Sequence, residues 1–411
     1  MLRLSGAFLL IALTCCHASA GVVDSSSYAR SWTLPKDGPR TLIQGTLFTT
    51  DVNTFPYAIC EFTKPNEERV CNVTLVRPNK QDSGICRVKI FANSKDKELF
   101  YNGYFQMIPF AREHVAVIWY DQTKEPANAV EKKYDFKISI LDTSNCKTAH
   151  LDFPIQKVHY GFFPALVTYD NQIDVVVNSI QACGGVDRCK LSFDLQGKQI
   201  GDVQPYKPKL SGYANAVSPA TPVKGFFQDV KNLSSIRVLF VNAEGEGKEV
   251  LNVKFDEQKQ NKRDAYSNAH ELYSICWTPT ISTTKPTKIS CSQFDATGNA
   301  KVSKEITFPQ LLNWAAVHNL PKGGLLLATG GCEQAGSEEC KTFRVHKINE
   351  LGQEKPYEFQ APDLQCHDIT SNLEVRISEN DRDEVCFDFS CLSSSTNLKF
   401  VSTCVEKTRL N

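Results

Sequence analysis

Residues 162–206 read FFPALVTYDNQIDVVVNSIQACGGVDRCKLSFDLQGKQIGDVQPY. Phe162 to Tyr169 is an apolar run closed by Asp170-Asn171-Gln172, residue types that favour a turn. Ile173 to Ile180 is β-branched and long enough for one buried strand. After Cys183, a Gly-Gly pair and Cys189, the apolar residues Leu191 and Phe193 alternate with polar ones. Asp194-Leu195-Gln196-Gly197 makes the next turn, and a polar outer strand ends near Tyr206. Four short strands joined by tight turns form one antiparallel meander.

The same unit recurs along the chain. The turn after a third strand opens at Leu141-Asp142, Phe193-Asp194, Phe255-Asp256, Phe294-Asp295 and Ile348-Asn349. Phe91-Ala92-Asn93 and Val401-Ser402-Thr403 fit more loosely. From residue 92 to 142, 194, 256, 295, 349 and 402 the steps are 50, 52, 62, 39, 54 and 53 residues. The long and short steps adjoin, which marks one boundary as misplaced by about ten residues. Asp or Asn can bond its own turn backbone, and Gly197, Gly298 and Gly352 can take positive φ.

Arg344 to Ile348 alternates at period two, as a half-buried strand should. Val115–Tyr120, Ile173–Val177, Ile236–Val241 and Leu325–Ala328 are continuously apolar and read as second strands covered on both faces. Gln310 to Asn319 reads as a short helix or as an inner strand with its approach loop, and 257–270 as a polar surface loop.

Four-stranded repeats at this spacing predict an all-β fold: a single disulfide-rich β-propeller of about seven blades, within a range of six to eight. The alternative is tandem β-sandwich domains. The propeller-like domain is placed over 41–411, with Thr41–Thr49 completing the sheet begun by Leu398–Val405. No sialidase Asp box, Trp-Asp repeat ending or YWTD run occurs.

Residues 1–20 carry Arg3, an apolar core from Ala7 to Cys16, and Ala18-Ser19-Ala20, the pattern of a cleaved signal peptide. Residues 21–40 read as a loose N-terminal arm. No later segment is apolar for long enough to span a bilayer, so a secreted, extracellular protein without membrane insertion is expected. Removing the signal leaves an even set of cysteines, which in an oxidising compartment argues for disulfides. Cys183–Cys189 and Cys332–Cys340 would close the loop between second and third strands, and Cys276–Cys291 would join strands between those units. Cys391–Cys404 and Cys366–Cys386 would pair near the C-terminus, while Cys60, Cys71, Cys86 and Cys146 make two pairs of open connectivity. Sequons at Asn72 and Asn232 are candidate glycosylation sites.

Forty-six basic and forty-six acidic side chains cancel, with no basic stripe, so nucleic acid is disfavoured as a partner. The chain has no GxSxG, HExxH or P-loop, and hairpin turns account for Gly323-Gly324 and Gly330-Gly331. His114, His150, His159, His270, His318, His346 and His367 show no spacing that favours a shared metal, so zinc is disfavoured. His346 reads as a solvated strand residue and His318 as a structural histidine on an inner strand. Oxygen ligands at Asp51-Asn53, Glu113-His114, Asp170-Asn171 and Asp229-Asn232, with His318, would suit calcium, but turn formation explains the Asp and Asn, and no metal or catalytic residue is assigned. Trp119-Tyr120, Phe162-Phe163, Phe226-Phe227 and Trp277 read as core.

The leading expectation is a monomeric, disulfide-stabilised extracellular binding protein, such as a venom, saliva or gland-fluid component. It would engage a protein or small ligand through one propeller face. The alternatives are a calcium-assisted secreted hydrolase or lactonase on the same scaffold, and a structural extracellular component.

Overall fold

The structure is a computed structural model. It describes residues 26–33, 42–44, 55–61, 69–76, 84–90, 105–122 except 112, 134–155, 165–168, 171–208 except 178, 213–217, 225–232, 235–254, 264–278, 287–309, 312, 314–331, 342–360, 374–394 except 381, and 397–410. Residues 1–20, Cys332, Cys340 and Cys366 lie outside these.

The described strands form seven four-stranded antiparallel sheets. Strand β1 (Ser26–Thr33) is the first described strand. Sheet 1 is β2 (Leu42–Gln44), β3 (Phe55–Glu61), β4 (Arg69–Val76) and β5 (Cys86–Ile90). Sheet 2 is β6 (Phe105–Phe110), β7 (His114–Gln122), β8 (Tyr134–Asp142) and β9 (Lys147–Ile155). Sheet 3 is β10 (Ala165–Thr168), β11 (Gln172–Val177), β12 (Cys189–Asp194) and β13 (Gln199–Pro205). Sheet 4 is β14 (Tyr213–Val217), β15 (Phe226–Asn232), β16 (Ser235–Val241) and β17 (Gly247–Lys254). Sheet 5 is β18 (Asp264–Ser267), β19 (Leu272–Trp277), β20 (Thr287–Asp295) and β21 (Ala300–Phe308). Sheet 6 is β22 (Trp314–Asn319), β23 (Leu325–Gly330), β24 (Thr342–Ile348) and β25 (Glu354–Gln360). Sheet 7 is β26 (Glu374–Glu379), β27 (Glu384–Ser394), β28 (Asn397–Glu406) and then β1, so the first and last described strands share it.

Among the described residues, hydrophobic clusters lie between sheets 1 and 2, 2 and 3, 4 and 5, 5 and 6, and 6 and 7. Val115, Val117 and Trp119 of β7 pack with sheet 1, while Ala116 and Ile118 of the same strand pack with sheet 3. Leu325 and Leu327 of β23 face sheet 5, and Leu326 and Ala328 face sheet 7. A second strand therefore has no solvent face, which is why these segments are continuously apolar. Each fully buried Val, Leu or Ile contributes roughly 1.5–3 kcal/mol, so two packed faces concentrate the stabilisation in these strands. Phe226 and Phe227 are buried as expected, with Phe227 stacked on Tyr273 at 4.7 Å between ring centroids.

Several expectations are corrected. In sheet 4 the turn after the third strand opens at Asn242, whose Oδ1 accepts from Glu246 N at 2.8 Å, and not at Asp256. Ile236–Val241 belongs to the third strand, not the second: it is buried almost throughout and so imitates a second strand. With Asn242 in place, the steps between Asp142, Asp194, Asn242, Asp295 and Asn349 run from 48 to 54 residues. Val401-Ser402-Thr403 lies inside β28, not in a turn, and residues 91–93 follow the fourth strand of sheet 1. The strand completing sheet 7 is β1, from the segment read as a loose arm, while Leu42–Gln44 pairs with β3 instead. Within 257–270, Asp264–Ser267 is the first strand of sheet 5 rather than loop, because Ala265 and Tyr266 face the cores on either side. Gln310–Asn319 resolves as a strand over its last six residues.

Four disulfides are described. Cys183–Cys189 and Cys276–Cys291 join the residues expected. Cys86–Cys146 ties β5 to the turn between β8 and β9, bridging sheets 1 and 2. At the C-terminus Cys386 bonds Cys404, in place of the expected Cys391–Cys404 and Cys366–Cys386. The register explains it: Cys386 lies directly opposite Cys404, whereas Cys391 lies opposite Lys399. The Cys60 and Cys71 backbones are register partners in the same way. No helix among the described residues is long and apolar enough to cross a membrane.

Candidate functional site

The site lies where the first strands of sheets 5, 6 and 7 end. Strand β22 runs beside both β18 and β26. Alternation at period two sends its last two side chains opposite ways. His318 shares a face with Ala316, toward sheet 7, and Asn319 shares a face with Val317, toward sheet 5.

Asn319 closes a buried polar network. Its Nδ2 donates to the carbonyls of Ser267 at 3.2 Å, Ala269 at 3.1 Å and Leu272 at 2.7 Å, the backbone of the turn between β18 and β19. Its Oδ1 accepts from Gln293 Nε2 at 2.9 Å and from the Ser274 hydroxyl. Gln293 Nε2 also donates to Gly324 O at 2.7 Å, and its Oε1 accepts from Gly324 N at 2.8 Å. A satisfied buried network of this kind fixes one geometry. The turn so clamped carries His270 with φ 59° and Glu271 with φ 56°, left-handed values that are uncommon outside glycine.

His270 reaches over the end of β22 to Glu379, the last residue of β26. Nε2 of His270 lies 3.0 Å from Glu379 Oε1, and Nε2 of His318 lies 2.9 Å from the same oxygen. The two rings meet edge to face, 5.7 Å apart. Lys407, just after β28, donates to Glu379 Oε2 at 2.8 Å and to Asp383 Oδ1 at 3.1 Å. Burial disfavours charge on Glu379, but bonds from His270, His318 and Lys407 outweigh it and hold the carboxyl below the usual carboxylate range. Burial likewise lowers the Lys407 pKa, and its two carboxylate partners more than reverse this, leaving it raised.

His318 is 1% exposed, and among the described residues its Nδ1 has no hydrogen-bond partner. Its Nε2 faces the Glu379 carboxylate, so that nitrogen carries the proton of the bond. The result is an ionised carboxylate flanked by two imidazoles, able to accept a proton or a cation. Among the described residues it is the one group of three such side chains whose N and O atoms lie within 4.8 Å of one another.

Beside it, between sheets 6 and 7, is a cavity of about 420 Å³. Leu326, Val385 and Leu410 line it with Glu379, and Lys322, Lys347 and Lys407 add cationic groups. Burial, with neighbouring Lys355, pushes the Lys347 pKa down. Leu351 lines the cavity too and is 77% exposed.

Of the calcium ligands considered from sequence, only His318 joins this cluster. Glu113 and His114 lie at the turn between β6 and β7, where Glu113 O accepts from Thr143 N at 2.8 Å and from the Thr143 hydroxyl at 2.8 Å. Asn171 is exposed before β11, and Asp51, Asn53 and Asp170 lie outside the described residues. His346, expected in solvent, is buried: Phe308 of sheet 5 covers its ring edge to face at 4.9 Å, and its Nδ1 pairs with Glu354 at 2.7 Å. Burial lowers its pKa despite that carboxylate. Asn72 is half-buried within β4, and Asn232 ends β15.

No family model matches the chain, and no curated protein matches it. Among solved structures, the acylaminoacyl peptidase of Pyrococcus horikoshii is similar at 8% identity and a TM-score of 0.39, over 85% of this chain and 58% of the peptidase. This chain thus spans little more than half of that protein. Apo AztD from Citrobacter koseri aligns at 12% identity and TM-score 0.34, over 86% and 99% of the two chains. A variant of the Synechocystis apocarotenoid oxygenase aligns at 11% and 0.36, over 89% and 87%. Likeness this slight carries no function to this chain.

Proposed function

We propose that this chain is a secreted, disulfide-stabilised, seven-bladed β-propeller that binds a small amphipathic acid in the cavity between its sixth and seventh blades. The ring is supported by the cores between neighbouring sheets, by first strands running side by side, and by the first and last described strands sharing sheet 7. Secretion is supported by the signal-like residues 1–20 and by the disulfides.

The binding reading rests on the cavity. Its volume is in the range of small-molecule sites, its walls are largely apolar, and Lys322 and Lys347 can meet an acidic group, Lys407 being engaged by Glu379 and Asp383. Exposed Leu351 gives the mouth an apolar lip. Calcium-assisted hydrolysis has less support, since two of the three converging groups offer imidazole nitrogen where calcium takes oxygen.

The test is titration with anilinonaphthalene sulfonate, followed by displacement with dodecanoate. The wild type should bind one probe and release it to the fatty acid. Lys322→Glu and Leu351→Glu, both at exposed positions, should each weaken binding by about ten-fold, some 1.4 kcal/mol. Unchanged binding in both variants contradicts the proposal.

A further inference from the structure

We infer that His270, His318 and Glu379 form a site for a divalent transition-metal ion of the zinc class. Each imidazole would give Nε2 and the carboxylate Oε1. The inference is independent of whether the neighbouring cavity takes a ligand.

Distances support it first. Ligand atoms bound to tetrahedral zinc at about 2.0–2.1 Å sit roughly 3.3 Å from one another. Here the two nitrogen–oxygen separations are 3.0 and 2.9 Å, with all three groups inside 4.8 Å. To seat an ion the two nitrogen–oxygen pairs would open by a few tenths of an ångström, while the two nitrogens, which lie within 4.8 Å of each other, would settle near the same separation. Two nitrogens and one carboxylate oxygen select zinc, cobalt or nickel over calcium or magnesium.

The outer shell is built as well. Lys407 holds Oε2 of Glu379, leaving Oε1 for a metal. Asn319 clamps the backbone that presents His270. On loading, the proton on each Nε2 moves to Nδ1. For His318 that atom meets no acceptor among the described residues, which should weaken the site by about 10–100-fold relative to one that supplies the partner. Three protein ligands leave a fourth position open, as in zinc sites that bind water or substrate.

The experiment is titration of EDTA-treated, tag-free protein with cobalt(II) chloride, read by the visible absorption of four-coordinate cobalt. The wild type should bind one cobalt ion, release it to zinc and keep it against calcium. It should also melt at a higher temperature with zinc present. His270→Asn keeps a residue that tolerates left-handed backbone, and Glu379→Gln keeps the side-chain shape. Each should weaken cobalt binding by ten-fold or more; His270→Asn should melt near the wild-type temperature in EDTA, and Glu379→Gln, which loses the ionised partner of Lys407, should melt lower but still cooperatively. Absence of saturable cobalt absorption in the wild type, or affinity unchanged from the wild type in both variants, would overturn the inference.

Discussion

His318 and Asn319 are neighbours on β22 that serve opposite sheets: the imidazole bonds Glu379 of sheet 7, and the amide bonds the turn of sheet 5 that carries His270. Three sheets are thereby joined through two consecutive residues. Asn319→Ala would take the side-chain donor from the buried carbonyls of Ser267, Ala269 and Leu272 and the shared acceptor from Ser274 and Gln293, although Gln293 keeps its bonds to Gly324. Stranded buried polar groups cost about 1–3 kcal/mol each before relaxation, so a loss of at least 2 kcal/mol in urea unfolding is expected. A loss below about 0.5 kcal/mol, the scale of an unconstrained surface site, would show that the network is not structural.

The hairpin between β22 and β23 depends on Gly324. Its φ is +83°, and a Cβ there would lie 2.3 Å from Ile348 O. Gly324→Ala must move backbone and disturb its contacts with Gln293. We expect destabilisation of about 2–4 kcal/mol and a lower melting temperature.

The disulfides differ in the loops they close. Cys86–Cys146 spans 60 residues and Cys183–Cys189 spans 6. By loop entropy, replacing the first pair with alanine should cost about 4 kcal/mol and the second about 2. Paired denaturation curves check the order, and non-reducing peptide mapping should recover Cys386 linked to Cys404.

Asp295 gives the molecule an acid limb. Burial raises its pKa, but bonds from Thr297 and Asn299 outweigh this and hold the carboxyl at about 2. The unfolded value is about 3.9, so its contribution is fully present above that pH and is lost as pH falls toward 2. Asn349 makes the corresponding turn with an amide, its Oδ1 accepting from Leu351 N at 3.0 Å and Gln353 N at 2.9 Å. Asp295→Asn should therefore keep the turn and reduce the fall in melting temperature between pH 4.5 and 2. An unchanged pH profile would refute the assignment.

Much of the sheet pattern was legible because turn chemistry repeats: Asp194, Asp295 and Asn349 each bond the turn backbone as their sequence implies. The error at Asn242 arose because β16 is buried almost throughout, and burial does not distinguish a second strand from a third. Likewise, Cys391 and Cys386 share β27, and only register selects Cys386. The His270, His318 and Glu379 cluster was hidden for a different reason. Its members lie 48 and 61 residues apart, on three sheets, and their convergence depends on how those sheets pack. Period-two alternation puts His318 and Asn319 on opposite faces, but it does not say which sheet each face meets.

The proposed binding and metal sites presuppose that sheets 5, 6 and 7 pack side by side, and the proposed ring extends that packing to all seven sheets with β1 completing the last. An experimental electron-density map tests this directly. It should show seven radial four-stranded sheets, with residues 26–33 lying beside 397–404 as the outermost strand of the seventh. Two sheet pairs stacked face to face, with 26–33 away from the C-terminal strands, would contradict it.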